Sequence, residues 1–331
     1  MEKRLKAVCS GYYGFGNFGD DAVLKVLVGM FSKKYDLTIL SSNPQNTSNQ
    51  YNVKSIYSFS YIDVIETIKA SDVLISGGGS LLQDVTSFKS LLYYLLLIFF
   101  ASLFKKKIII FAQGLGPFKS PMSLILVKAA LSRCELITVR DSDSSSLLTN
   151  WGLSHVVVAD PVYNLMINNV PKNGKLGIQL RNFSNLGQEF LDELAMAINN
   201  YYSDYDVVLY SLQDSIDLQL CNSFAKQLRH KNIEIKSSMP IEETISELSS
   251  LSLMIAMRFH AVLIGLKAGV KVLPIAYDKK VSQLANEVNI EYLNMSNDDV
   301  AKKVEGLASF SFEHVKDVLN SKFLDESIFD I

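Results

Sequence analysis

The sequence predicts an α/β fold of two doubly wound domains in tandem. Three observations carry this. Short apolar runs of strand length alternate with helical patterns through the first half. The pattern breaks at Asn168 to Gly174, where polar residues, a proline and a glycine cluster. The same alternation then restarts. Strands buried on both faces read as apolar runs, and helices between them cover a parallel sheet.

In order, the first-half strand candidates are LKAVCS, YDLTILSS, DVLISG, KIIIFAQG, ELITVRD and HVVVAD. Helical patterns run over Asp20 to Phe31, Tyr61 to Lys69, Ser87 to Phe104, Pro121 to Ser132 and Ser142 to Trp151. After the break come KLGIQL, DVVLYSL, IEIKS, LSLMIAM and VKVLPIAY, with helices expected from Leu186, Ser215, Ile241, Ala261 and Lys280. The expected domains are 1–168 and 174–331. No short-period repeat or low-complexity tract appears.

The 331 residues carry a formal net charge of −2, which gives no support for nucleic-acid binding. Cys9, Cys134 and Cys221 are scattered, odd in number and set in or beside apolar stretches, so reduced, buried thiols in the cytoplasm are expected. No C-x-x-C occurs and the four histidines are isolated, so no metal site is expected. The first apolar run is too short for a signal peptide. The segment Leu91 to Phe104 is shorter than the about 20 residues a spanning helix needs. It reads either as a buried helix or as one touching a bilayer surface, with Lys105, Lys106 and Lys107 at headgroup level.

Ligands of doubly wound sheets bind beyond the carboxyl ends of the strands. The glycine-rich stretch after the first strand contains G-x-G-x-x-G at Gly14, Gly16 and Gly19, but its context fails as a dinucleotide cradle. Two acids follow at once, and the second strand ends in LSSN without the acid that would hold a ribose. Asp20 is expected to cap the following helix and so fill the phosphate position. Asn17, Asp20, Asp21, Tyr12 and Tyr13 instead suit a hydroxyl-rich ligand. At other strand ends stand GGGSLLQD with Gly78, Gly79 and Asp84, QGLGP with Gln113, and then Arg140, Arg181 and the run Arg258, Phe259, His260. Glycines there can serve tight turns alone, and a lone arginine after a strand can be a surface ion pair. Arg258 and His260 sit between an apolar strand and an apolar helix, where solvent-facing room is small. Arginine offers a fork for carboxylate or phosphate, the helix start adds amide donors, and histidine can move a proton near neutral pH.

The segments GYYGFGNFGDDAVL, LISGGGSLLQDVTS, AQGLGP, VRDSDS, ADPVYNL and MRFHAVLIGLKAGV follow in the order and spacing of the polysaccharide pyruvyltransferases, which the chain resembles from about Ala7 to Asn286. The resemblance implies a GT-B-like fold of two Rossmann-like domains facing a cleft. It implies transfer of the pyruvyl group of phosphoenolpyruvate to a sugar as a cyclic ketal, with no further cofactor. The subgroup it most resembles acts on N-acetylmannosamine of a secondary cell-wall polysaccharide, whose pyruvate anchors S-layer proteins, on a lipid-linked precursor at the cytoplasmic membrane face. Peripheral membrane contact is therefore one expectation. The family's donor-binding arginine falls on Arg140, and its C-terminal Arg and His fall on Arg258 and His260. Asp21 stands where a glutamate is expected.

On this reading Arg140, Arg258 and His260 are catalytic, and they bind the donor together with Arg181. Tyr13, Asn17, Asp20, Asp21, Gly78, Gly79, Asp84 and Gln113 face the acceptor. The base for the sugar hydroxyls is open between Asp20, Asp21 and Asp84. Two rivals remain. A nucleotide-sugar GT-B enzyme would place an acid about 20 residues beyond the anion site, where Asp278 stands. A non-catalytic glycan binder would have lost its proton-transfer residue, whereas His260 is present.

Overall fold

The computed structural model describes residues 4–168, 170–183, 185–295, 299–311 and 313–330. Asn169, within the expected linker, lies outside them, as do the chain ends. The chain forms two compact units. One comprises Met1–Leu165 with Phe323–Ile331, and the other Met166–Lys322. The expected bounds put 174–331 in the second domain; the contact pattern groups Phe323–Ile331 with the first unit instead.

The first unit contains β1 (Leu5–Ser10), α1 (Phe18–Phe31), β2 (Tyr35–Ser41), α2 (Pro44–Tyr51), β3 (Lys54–Tyr57), α3 (Tyr61–Ala70) and β4 (Val73–Ser76). There follow α4 (Phe88–Leu103), β5 (Lys107–Gln113), α5 (Pro121–Leu131), β6 (Leu136–Val139), α6 (Ser142–Trp151) and β7 (Val156–Val157). Its sheet has the order β3-β2-β1-β4-β5-β6-β7, with parallel pairing throughout. Val8, Leu74, Ile108, Ile110 and Ile137 from the strands meet Ile68, Leu91, Leu95, Ile98 and Val127 from the helices in one core. The returning tail seals the region around Phe31. Phe329 packs at 5.4 Å from the Phe31 ring and 5.2 Å from that of Phe111. Asn164 and Leu324 exchange side-chain-to-backbone hydrogen bonds of 2.8 and 2.7 Å.

The second unit contains β8 (Leu176–Gln179), α7 (Gln188–Tyr201), β9 (Val207–Tyr210), α8 (Asp214–Ala225), β10 (Ile233–Lys236) and α9 (Ile241–Ser250). It continues with β11 (Leu253–Ala256), α10 (Phe259–Lys267), β12 (Lys271–Pro274), α11 (Lys279–Glu287), α12 (Val300–Gly306) and α13 (Glu313–Asn320). Its sheet runs β10-β9-β8-β11-β12, again parallel.

Both sheets reverse their strand order beside their first strand, between β1 and β4 and between β8 and β11. At such a point the two connecting loops turn to opposite faces and leave a crevice beyond the strand ends. The loops after β1, β4, β8 and β11 therefore hold most of the candidate site residues, with Gln113 at the end of β5 and Arg140 after β6.

Candidate active site

In the first unit the loops after β1 and β4 interlock. Gly77 N donates to Ser10 O at 2.7 Å, and a side chain at Gly77 would collide with the Tyr13 phenol. Gly79 has φ +108, a conformation that favours glycine, and a Cβ there would stand 3.1 Å from Asp20 Oδ1. Gly78 packs on Val23, 2.6 Å from where its Cβ would be. The glycines thus let the Asp20 carboxylate approach the β4 loop backbone.

Several sequence expectations change here. Asn17, not Asp20, caps α1, its side chain accepting from Gly19 N at 3.2 Å. Asn17 Nδ2 in turn donates to Asp20. Asp20 and Asp21 both lie in the first turn, where the helix dipole favours acids. Tyr13 is fully buried beneath the glycine loops and cannot present a ring to a sugar. The neighbouring Tyr12 is half-buried and stacks on Phe15 at 4.1 Å. Gln113 is also fully buried, donating to Ser76 Oγ at 2.7 Å and Gly77 O at 2.9 Å; it holds the glycine loop from below. Asp84 accepts Lys119 N at 2.6 Å on one oxygen and Ser120 N at 3.0 Å on the other, so it ties two loops together and is poorly placed to act as a base.

That leaves the acid pair in α1. Burial, with the adjacent Asp20 charge adding to it, pushes the Asp21 carboxyl up from 3.8 to about 7. A carboxyl titrating there can take a proton from a hydroxyl at neutral pH. Asp20 also raises the phenols of Tyr12 and Tyr94, both already lifted mainly by burial, which places its charge among these rings.

Arg140 follows β6 and pairs with Asp160. Both side chains are almost wholly buried, and Arg140 Nε is a buried donor with no hydrogen-bond partner among the described residues. Asp160 also accepts Val162 N at 3.0 Å. Sequence reasoning quoted Asp160 within ADPVYNL but did not connect it to Arg140, twenty residues away.

In the second unit Arg181 and Arg258 flank the crevice between β8 and β11. Arg258 does not offer an open fork. Its Nε and Nη2 each donate to Asp217 at 2.8 Å, and Nη2 also reaches Gln213 Oε1 at 3.1 Å. Its backbone N donates to Gln179 Oε1 at 2.8 Å. Asp217, wholly buried in the first turn of α8, further accepts the amides of Leu212 and Gln213 at 3.2 and 3.1 Å. Sequence reasoning missed Asp217, Gln213 and Gln179. Their only signal is position: one ends β8 and the others follow β9.

Arg181 behaves differently. Its guanidinium donates to Tyr277 Oη at 3.1 Å and lies 5.4 Å from that ring's centre. It has no carboxylate partner among the described residues. Burial raises the Tyr277 phenol, Asp278 adds to this, and Arg181 and Arg258 oppose it, so both cations act on one ring. His260 sits in the first turn of α10, its ring edge-on to Phe259 at 5.2 Å. No side chain caps α10. Asp278 caps α11, accepting Val281 N at 3.1 Å.

The fold has wide company. The structure of Staphylococcus aureus MnaA with UDP superposes with TM-score 0.68 at 12% identity, over 98% of this chain and 94% of that one. The UDP-GlcNAc 2-epimerase of Methanocaldococcus jannaschii gives 0.66 at 12%, over 96% and 98%. Anabaena HepE in complex with UDP-glucose gives 0.63 at 12%, over 98% and 97%. At these identities the likeness is one of fold, and the fold is the GT-B type. No curated protein sequence matches the chain. The polysaccharide pyruvyl transferase model, however, matches residues 17–279, a span holding most of both strand-end clusters. The chain is a member of the polysaccharide pyruvyl transferase family.

Proposed function

We propose that this transferase moves the pyruvyl group of phosphoenolpyruvate onto two hydroxyls of one sugar. The acceptor is N-acetylmannosamine of a cell-wall polysaccharide precursor, carried on a polyprenyl lipid at the inner face of the cytoplasmic membrane. The product's role is S-layer anchoring. The observation that carries the reading is the family match, which runs from the capping Asn17 through the arginine-rich strand ends of the second unit.

The first unit takes the acceptor and the second unit the donor. Asp21 accepts a proton from the first hydroxyl as its oxygen bonds the central carbon of the enol. His260 gives a proton to the methylene carbon, which becomes a methyl group. The second hydroxyl oxygen then bonds the same carbon, the bond to the phosphate oxygen breaks, and the released phosphate leaves with the second hydroxyl's proton. Arg181 and the positive end of the α10 dipole favour the donor's negative charge. Arg140 and Arg258, each held by a buried carboxylate, keep a donor role only through the N–H edges those partners leave.

A nucleotide-sugar donor is the competing reading, because several structures of this fold hold UDP or a UDP-sugar. Asp278, the acid that reading needs for ribose, is occupied as a helix cap. The test is incubation with phosphoenolpyruvate and a panel of tagged N-acetylmannosamine, glucose and galactose acceptors. A pyruvyl mass increment with stoichiometric phosphate is expected. Replacing His260 by Gln, which keeps a donor but cannot deliver the proton, should slow turnover by about 10²–10⁴-fold. Consumption of a nucleotide sugar with no phosphate released from phosphoenolpyruvate would overturn the proposal.

A further inference from the structure

Helix α4 is apolar on both sides, and only one side is used by the core. Leu91, Tyr94, Leu95, Leu97, Ile98 and Ala101 are buried. Phe88, Leu92, Leu96, Phe99 and Leu103 are 41–58% exposed. At 3.6 residues per turn these five fall within about 80° of one another, a single stripe along the helix. A continuous exposed apolar stripe marks an interaction surface, unlike scattered surface leucines.

The surroundings indicate the partner. Lys89 stands exposed at the helix start, and Lys105, Lys106 and Lys107 follow its end. None of the four has an acidic partner among the described residues, and no carboxylate occurs from Phe88 to Lys107. On the neighbouring α5, Met122 and Ile125 are also exposed. An apolar stripe framed by unpaired lysines is the chemistry of a helix lying in a membrane interface, with the lysine heads at the phosphates. A second copy suits it less well. Antiparallel self-pairing about a two-fold axis would set each Lys105–Lys107 run near the partner copy's Lys89, with no acid on α4 to compensate.

We propose that the α4 face docks the first unit on an anionic lipid bilayer. The same unit links this face to its candidate site by aromatic contacts. Tyr93 on the flank of α4 lies 5.9 Å from the exposed Phe59, Phe59 lies 6.3 Å from Phe15, and Phe15 stacks on Tyr12 in the glycine loop. With a lipid-linked acceptor, the reading proposed above, this chain of rings leads from the bilayer to the acid pair. The docking itself does not depend on that reading. Asp63 and Glu66 on the neighbouring α3 are exposed and oppose an anionic surface, so the attachment is weak and salt-sensitive.

The test is flotation of the full chain with phosphatidylcholine vesicles, with and without phosphatidylglycerol and without any sugar acceptor, so that it is independent of the transfer reaction. Binding should be about ten-fold stronger to the anionic vesicles and should fall in high salt. The double variant Leu96→Glu, Phe99→Glu should lose binding without a change in melting temperature, because both side chains are exposed. Lys105→Glu with Lys106→Glu and Lys107→Glu should lose the anionic preference. The proposal fails if the anionic vesicles are not bound, or if these variants bind as wild type does. It also fails if the protein sediments as a dimer that Leu96→Glu converts to a monomer, which would make the stripe a self-association surface.

Discussion

Replacing Asp21 by Asn should stabilise the protein above neutral pH while removing activity. The folded state holds the Asp21 carboxyl at about 7, against 3.8 ordinarily, through burial and then the Asp20 charge. A folded-state value above the unfolded one means the folded chain keeps the proton longer. Its stabilising effect is fully present below about pH 4 and is lost as pH rises through about 7. At 1.36 kcal/mol per pKa unit the cost of ionisation is at most about 4 kcal/mol. Partial exposure and screening reduce this to about 2. An asparagine is neutral at every pH and also forgoes the favourable interaction of a charged acid with the α1 dipole, about 0.5 kcal/mol. The variant should therefore match wild type below about pH 4 and exceed it by about 1–2 kcal/mol near pH 8. Thermal melts at the two pH values measure the difference. In pyruvyl transfer, wild-type turnover should rise through about pH 7 as the base ionises, and the variant should lose about 10²–10⁴-fold together with that limb. A melting difference independent of pH would refute the raised carboxyl. An unchanged acid limb in the variant would refute Asp21 as the base.

Arg181→Ala should weaken phosphoenolpyruvate binding by about ten- to hundred-fold, the worth of one charge-assisted contact; calorimetry measures it, and unchanged affinity removes Arg181 from the donor site. Asp217→Asn should destabilise the second unit by about 3–5 kcal/mol, because the buried Arg258 charge loses its counter-charge; denaturant melts test this, and a near-neutral result would mean water replaces the carboxylate. Ile98→Ser, on the buried side of α4, should cost about 2–5 kcal/mol, whereas Leu92→Ser on the exposed side should leave the melt unchanged.

Most of the framework was legible because burial dictates residue type. The strands of both sheets, apart from β3 and the alternating β10, read as apolar runs, and the helices that cover them carry apolar periodicity. What escaped in the first unit was structure with little burial. Helix α2 buries only Thr47 and is polar on the rest of its surface. Strand β3 is a sheet edge with no buried residue. The α4 segment looked like a choice between core and membrane surface because its composition is uniform. The structure divides it by face, which composition cannot reveal. At the candidate site, the strand-end rule selects loops from the sequence, but the contacts inside them join residues distant in sequence. Tyr13 and Gln113 look like ligand-facing polar groups and are buried supports, while Tyr12 and Asp21 stay partly exposed.

The arginines show why residue type alone misleads. Arg140 and Arg258 both follow strands and, read by residue type alone, suggest a pair of open anion forks. Each is instead held by a buried acid, Asp160 or Asp217. A buried ion pair adds little net stability, so stability does not account for these pairs. Their effect is on geometry and charge. Arg258 uses Nε and both hydrogens of Nη2 on Asp217 and Gln213, which leaves the Nη1 edge. A guanidinium fixed in this way needs no reordering when a ligand arrives, and its paired carboxylate offsets the charge it brings to the strand end. The charge that can favour an incoming anion is then carried by Arg181, which is steadied by the Tyr277 ring and hydroxyl rather than by an acid. Arg258→Lys would therefore act first by breaking the two-point grip on Asp217. Any loss of donor binding in that variant reflects displaced architecture as much as a missing contact, and the Arg181 variant is the cleaner measure of the anion site.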